Sequence, residues 1–335
     1  MKKILSLILV VALSLVTFAS CEVADEFSND TGKGNDIKNE QVNDKNNTDQ
    51  DDTNKDDNTD NSQTVLGEST SGLEFELNED GKGYTAKGIG SCTESEILID
   101  TYKGLPVTCI GVYAFQRCDQ LIEVTLGAKV ETIKAGAFAS CHYMEQIVMP
   151  NSLKTIDQAA FVECDALVNI TIPEGVTEID DGVFNYCDKL ESIYFPSTLT
   201  KIGFLFSHCD SFKSIEVSAD SETFKSIDGV LFSKDGKTII EYPKGREAAS
   251  YEIPDTVTKI YPWAFSKCAA LTEITIPSGV KLIETSAFSD SFELSLIKFK
   301  GTKAQWESIG KSVGWDDHMN YTVQCTDGSI SKIWT

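Results

Sequence analysis

Histidine and basic side chains are scarce in this sequence. It has 3 His, and its 29 Lys and Arg stand against 52 Asp and Glu, which gives a formal net charge of −23. Affinity for nucleic acid rests mainly on Lys and Arg that displace counterions from phosphates. A surplus of acidic groups this large therefore excludes a nucleic-acid partner, and three scattered histidines provide no catalytic triad.

Catalytic motifs are absent too. The chain has no glycine-rich phosphate loop and no HExxH, GxSxG or CxxC pattern, the arrangements in which phosphate binding, zinc chemistry and nucleophilic catalysis are commonly recognised. Its many carboxylates show no spacing that demands general acid and base work. The sequence thus predicts a protein that is not an enzyme and that carries no cofactor and no metal.

The apolar run at residues 4–16 is too short to span a membrane, which takes about 20 apolar residues. Two lysines precede it and small residues follow, as in a bacterial export signal, so we assign a signal peptide to residues 1–20. The FASC that ends at Cys21 resembles a lipoprotein cleavage box, which predicts a lipid attached to Cys21. Ordinary secretion with cleavage near Ala19 is the alternative.

Residues 21–66 have the composition of a disordered tether. From Glu22 onward they contain 13 acidic residues and 4 Lys, a net charge of −9, with hardly any aromatic side chains. Such a segment cannot bury enough apolar surface to offset the entropy of ordering it. We expect it to hold the folded part of the chain, residues 67–335, away from the membrane.

A repeat dominates the rest of the sequence. Phenylalanine recurs every 22 or 23 residues within each half of residues 107–300, and a cysteine follows it three positions later in six units. A period of 20 to 50 residues indicates a solenoid, a propeller or another repeat array. The phenylalanines are Phe115, Phe138, Phe161, Phe184, Phe206, Phe265 and Phe288, and the cysteines are Cys118, Cys141, Cys164, Cys187, Cys209 and Cys268.

The unit fits the template VxxIxxxAFxxCxxLxxIxIP, a leucine-rich repeat. Its last two isoleucines lie two residues apart, so they face the same side of a short strand, and the Pro after them ends that strand. We therefore predict a mostly β fold, a leucine-rich repeat solenoid of about 23-residue units. The phenylalanines fill its interior and the cysteines, as buried free thiols, occupy its corners.

These units resemble the BspA-like leucine-rich repeat surface proteins of bacteria. The resemblance rests on IGVYAFQRC, IKAGAFASC and IYPWAFSKC, on IDGVLFSKDGKTIIEYP, and on GTKAQW with CTDG near the end, and it covers residues 73–332. It implies a surface-displayed adhesion protein that attaches to host matrix proteins or to other cells.

The irregular segments predict how the solenoid begins, bends and ends. A β-hairpin cap is expected at residues 67–106, the repeats at 107–300 and a second cap at 301–335. The insertion at 219–250 contains an Asp-Gly hairpin signal and is interpreted as two extra rungs. A disulfide between Cys92 and Cys109 would link the first cap to the first repeat.

Residues that alternate with the core isoleucines must point outward, and we call the surface they form the long-strand face. Solenoids bind partners on extended concave faces of this kind. The predicted partner is an extracellular protein or a glycan, and the only membrane contact is through the lipid on Cys21. The alternative is an envelope carrier that tethers a partner of its own cell. The candidate binding residues are Thr125, Val148, Thr171, Tyr194, Glu216, Glu241, Glu252 and Thr275.

The lipid assignment predicts the behaviour of one variant. The full chain should enter the detergent phase in detergent partitioning, because several acyl chains on one cysteine anchor a protein stably. Cys21→Ala should move it to the aqueous phase. An unaltered chain that is already aqueous would contradict the assignment.

Overall fold

The computed structural model describes residues 67–333. The predicted signal peptide, Cys21 and the tether lie outside the described residues, as do the last two residues of the predicted C-terminal cap.

The regular elements of the described chain are short β-strands joined by turns, apart from one short helix. Up to the irregular segment the strands are β1 (Glu74–Leu77), β2 (Tyr84–Gly88), β3 (Glu96–Ile99), β4 (Thr101–Tyr102), β5 (Leu105–Ile110), β6 (Glu123–Leu126), β7 (Thr132–Ile133), β8 (Gln146–Val148), β9 (Thr155–Ile156), β10 (Asn169–Thr171), β11 (Glu178–Ile179), β12 (Ser192–Phe195), β13 (Lys201–Ile202) and β14 (Ser214–Val217). The remaining elements are β15 (Phe224–Ile227), β16 (Val230–Ser233), β17 (Thr238–Glu241), β18 (Ser250–Glu252), β19 (Lys259–Ile260), β20 (Glu273–Ile276), β21 (Leu282–Ile283), β22 (Leu296–Phe299), α1 (Lys303–Ser308), β23 (Gly310–Lys311), β24 (Tyr321–Cys325) and β25 (Gly328–Lys332).

The strands stack in two series, as the repeat predicts. The longer strands form three parallel stacks, β3-β6-β8, β10-β12-β14 and β18-β20-β22-β24, and the last of these ends in the antiparallel β25. The shorter strands stack as β5-β7-β9-β11-β13 and as β17-β19-β21-β23. Each rung contributes one strand to each series, and its core residues pair in register with the next rung, as Ile133 does with Ile156. The leucine-rich repeat solenoid is therefore confirmed.

The phenylalanines form a stacked ladder inside the solenoid. From Phe115 to Phe206, successive ring centroids lie 5.2, 5.5, 5.7 and 6.1 Å apart, and the planes differ by no more than 11°. A second ladder begins at Tyr242 and continues through Phe265 and Phe288. These rings are fully buried, so each rung covers the apolar face of its neighbour, and stability comes from stacking between neighbours.

The ladder cysteines are free thiols, and four of them, Cys141, Cys164, Cys187 and Cys209, hydrogen-bond to the rung before them. The thiol of Cys164 donates to the carbonyl of Phe138 over 3.2 Å, and Cys187 does the same to Phe161. Ser291 replaces the cysteine in a later rung and its hydroxyl donates to the carbonyl of Phe265. The corner therefore requires a small, buried hydrogen-bond donor, which cysteine and serine both supply.

Both ends of the solenoid are covered. At the first end, β1 and β2 form an antiparallel hairpin, and β2 pairs with β5 of the first rung. At the other end, Trp315 packs edge-on against Phe288, the last ring of the ladder, at 5.9 Å. The helix α1 begins with a capping box between Thr302 and Gln305. No helix among residues 67–333 has the length and apolar character to cross a membrane.

The interpretation of the insertion as two extra rungs is wrong. The structure has a hairpin of β15 and β16, which continues antiparallel into β17, and one complete rung made by β17 and β18. The predicted turn is present at Gly236, whose φ is +72°. Because the chain reverses twice before β17, Ile240 lies in a strand of the shorter series and Tyr242 directly follows it, although their sequence resembles the end of a longer strand.

The predicted disulfide between Cys92 and Cys109 is also wrong, since both are free thiols. Cys92 is buried against Gly72. A Cβ added at Gly72 would lie 2.7 Å from the backbone nitrogen of Cys92. Cys109 lies in β5 and pairs in register with Thr85 and Thr132. Cys92 thus lies in the cap and Cys109 in β5 of the first rung.

Phe161→Ala tests the ladder. The variant removes a buried ring that contacts Phe138 and Phe184, so the free energy of unfolding in urea should fall by about 3 to 5 kcal/mol. Cys164→Ser is the matched control in the same rung. It keeps a hydrogen-bond donor, so it should cost about 1 kcal/mol or less. Equal losses in the two variants, or a large loss on adding a reducing agent, would contradict this account of the core.

Candidate binding face

Within each stack of longer strands, the residues of the long-strand face pair in continuous register. Thr125 pairs with Val148, and Thr171 pairs with Tyr194, which pairs with Glu216. In the last stack Glu252 pairs with Thr275, which pairs with Lys298. Seven of the eight predicted binding residues therefore lie on this face, all of them half-buried or exposed.

Glu241 does not belong to the long-strand face. It ends β17, a strand of the shorter series, and it is buried, with its Oε1 atom 2.7 Å from Nζ of the equally buried Lys244. Burial raises the pKa of the Glu241 carboxyl, whereas Lys244 acts to lower it. The prediction that Glu241 lies on the long-strand face is wrong because the insertion contains one rung and not two.

Two further residues, which the repeat pattern did not predict, lie on the long-strand face. Leu98 pairs with Thr125 at the first end, and Gln324 pairs with Lys298 at the other. Both lie in segments without the Phe and Cys of the repeat. The alternation of buried residues around them, Ile97 with Ile99 and Val323 with Cys325, is the signal that could have identified them.

A row of small polar groups crosses the central stack, β10-β12-β14. Asn169, Ser192 and Ser214 lie in register, and the Ser192 hydroxyl donates to Oδ1 of Asn169 over 2.6 Å. Tyr194 and Thr171 stand next to this row. The centre of the face thus offers one aromatic ring among hydroxyl and amide groups, which suits a partner that is bound by hydrogen bonds and ring contacts.

Two of the three acidic candidate binding residues, Glu216, Glu241 and Glu252, are neutralised by ion pairs. Lys300 lies 2.7 Å from Glu252 and 2.8 Å from Asp255, and these hydrogen bonds raise the pKa of Lys300. Lys298 pairs with Glu273 at 2.6 Å. Glu241 pairs with Lys244 away from this face, so Glu216 is the acidic candidate that forms no ion pair within residues 67–333. Among the candidate binding residues, the unpaired negative charge is therefore that of Glu216, at the end of the stack β10-β12-β14.

The side chains that resemble catalytic pairs have structural roles. Oδ1 of Asp119 lies 2.8 Å from Nδ1 of His142, and this hydrogen bond raises the pKa of that histidine. Burial raises the pKa of the Cys141 thiol to about 12 and that of Cys209 to about 12, so both stay protonated near neutral pH. Within the described part of the chain, no group of three or more His, Cys, Asp or Glu side chains is placed to hold a metal ion.

The comparisons with known proteins agree with this architecture. A family model described as a BspA type leucine rich repeat region matches residues 107–239 and 242–313, in six copies. No curated protein matches the chain.

Solved structures of bacterial leucine-rich repeat proteins show the same fold. A protein from Bacteroides ovatus is 22% identical, with a TM-score of 0.52 over 75% of this chain and 67% of that one. One from Eubacterium ventriosum is 18% identical, with a TM-score of 0.51 over 77% and 73%. The pneumococcal vaccine antigen PcpA is 17% identical, with a TM-score of 0.50 over 80% and 90%.

The fold and the repeat define a leucine-rich repeat protein. Because the family model covers more than half of the chain, the chain belongs to the BspA-type leucine-rich repeat family.

Proposed function

We propose that this protein is a non-catalytic adhesion protein of the bacterial cell surface, whose long-strand face binds an extracellular protein or a glycan. The observation that carries the proposal is the register of Thr171, Tyr194 and Glu216, three outward side chains on adjacent strands of a rigid stack. They stand on strands whose inward residues are buried, so a binding surface there can vary without disturbing the core.

The surroundings of Tyr194 support a binding role. Aromatic rings carry a disproportionate share of the energy of protein interfaces, and this ring is flanked by Thr171 and Glu216 in register and by the hydroxyls of Ser192 and Ser214. Glu216 adds one negative charge at the edge of the same stack. The arrangement favours a partner with polar groups and a basic or mixed charge over an acidic one.

Display at the cell surface is inferred from the N-terminal segment of the sequence. The export signal, the predicted lipid on Cys21 and the acidic tether would place residues 67–335 outside the membrane and at a distance from it. Membership in the BspA-type family and the fold shared with a pneumococcal vaccine antigen are consistent with that location. A lipid anchor and a tether are what an adhesion protein needs to reach a partner on another surface.

The proposal predicts that Thr171→Asp with Tyr194→Asp lowers affinity for the partner at least tenfold. The probes are a panel of host extracellular-matrix proteins and glycans, tested against the full chain by surface plasmon resonance. The melting temperature should hardly change, since exposed substitutions usually cost within about 0.5 kcal/mol each.

Thr132→Asp with Thr155→Asp is the matched control. These residues also pair in register on adjacent rungs, but on strands of the shorter series, and the charge change is the same. The control should bind like the unaltered chain. If both double variants bind alike, or if no panel member binds the full chain while an extract of its own envelope does, the adhesion proposal fails.

A further inference from the structure

The shorter strands have a gap in the middle of the solenoid. Within the described residues β13 pairs with β11 on one side and with no strand on the other, because the next strand of that series, β17, pairs with β16 and β19. An unpaired edge presents backbone donors and acceptors to any extended chain that reaches it.

The gap leaves specific backbone groups without the partners that other rungs have. In seven rungs the carbonyl of the inward residue accepts an N–H from the next rung over 2.8 to 3.1 Å; these residues are Ile110, Ile133, Ile156, Ile179, Ile239, Ile260 and Ile283. Ile202 is the equivalent residue of β13, and no such bond is made to its carbonyl in the described structure. The carbonyl of Thr200, two residues earlier, also lacks the bond that Thr177 receives.

A cleft of about 410 Å³ lies against this edge, within the size range of ligand pockets in proteins. We call it the break cleft. Its floor is apolar, with Ile202, Leu205, Leu231 and Ile240. Such a floor suits the aliphatic side chain of an inward residue on an added strand.

One wall of the break cleft is aromatic. Trp263 and Tyr261 are 38% and 41% exposed, and the Trp263 ring contacts Phe204 across the gap at 4.9 Å. These rings meet because the turns at 204 and 263 abut, although 59 residues separate them in sequence. Exposed rings of this kind attract an arginine side chain through cation–π contact.

The opposite wall is acidic. The Asp181 carboxylate leans over Gly203 so closely that a Cβ on Gly203 would lie 2.4 Å from its Oδ1, which accepts the N–H of Phe204 over 2.9 Å. Asp180 lies beside it and is exposed, and neither carboxylate forms an ion pair among the described residues. Lys201 already pairs with Glu178 at 3.1 Å, and Glu241 with Lys244, so the two aspartates leave the cleft with uncompensated negative charge.

We propose that the break cleft binds an extended peptide segment of a partner protein, which adds as a parallel strand beside β13 with an aliphatic residue directed inward and an arginine after it. The N–H of that arginine donates to the carbonyl of Ile202, and the N–H two residues earlier donates to Thr200. The guanidinium lies between the aspartates and the Trp263 ring. Strand addition of this type obtains affinity from the backbone and specificity from the side chains.

The site is separate from the long-strand face and does not depend on the function proposed for that face. The acidic segment at residues 21–66 is a poorer occupant, because its net charge has the same sign as the cleft.

The test is binding of a fluorescent peptide, acetyl-Ser-Thr-Ile-Arg-Thr-Ser-amide, to the full chain by fluorescence polarisation. Saturable binding is expected. A peptide with Glu in place of Arg should bind at least tenfold more weakly, because it meets the aspartates. A peptide N-methylated at the arginine amide should lose at least as much, because it cannot donate to Ile202.

Variants of the chain locate the site. Trp263→Asn and Asp180→Asn should each weaken binding at least threefold. Tyr113→Asn is the matched control for the first, since Tyr113 also lies two residues before a ladder phenylalanine with a left-handed backbone, φ +52° against +58°. Asp157→Asn, one rung before Asp180, is the control for the second. Both controls should bind like the unaltered chain.

Three results would overturn the proposal. The full chain does not bind the peptide, which includes the case in which residues 21–66 cover the cleft. The N-methylated and unmodified peptides bind alike, so that no strand is added. Binding of the peptide dissociates a dimer in sedimentation, which would assign the cleft to a second copy of the chain.

Discussion

Stacking of one rung on the next is the interaction on which this structure depends. A single unit of about 23 residues has two short strands and one phenylalanine, too little to bury its own apolar surface. Parallel rings about 5 to 6 Å apart, with a thiol or hydroxyl donating to the carbonyl of the preceding phenylalanine, let each rung complete the core of its neighbour. Everything outward of the core pairs is then free to vary.

The same dependence explains why the interruption matters. At β15 and β16 a hairpin interrupts the regular rungs, and the core divides into two clusters, one ending at Leu231 and the other containing Tyr242. The turns still meet, through Phe204 with Trp263 and through His208 with Lys267 at 2.6 Å. The shorter strands do not meet, so an edge is left open beside a cleft. In an uninterrupted solenoid, unpaired strand edges occur only at the two ends, and caps cover them there.

The period of the sequence predicted the ladder and most of the long-strand face, because one register relation repeated in every rung determines both. It could not predict the position of Glu241, since an antiparallel hairpin changes which series the following strand joins. It also missed Leu98 and Gln324, which lie in caps without the Phe and Cys marks. The break cleft was beyond sequence reasoning, because Phe204 and Trp263 come together only after the hairpin has brought distant rungs side by side.

Hydrogen exchange of individual backbone amides, followed by NMR on the full chain, tests the interrupted stacking most directly. The N–H of Ile202 faces away from β11, since Lys201 and Gly203 on either side of it donate to Thr177 and Ile179 of the preceding rung. We expect the Ile202 amide to exchange at least about 100-fold faster than those of Ile156 and Ile179, whose strands are paired on both sides. Equal protection of the three amides would show that β13 is covered and would contradict the account.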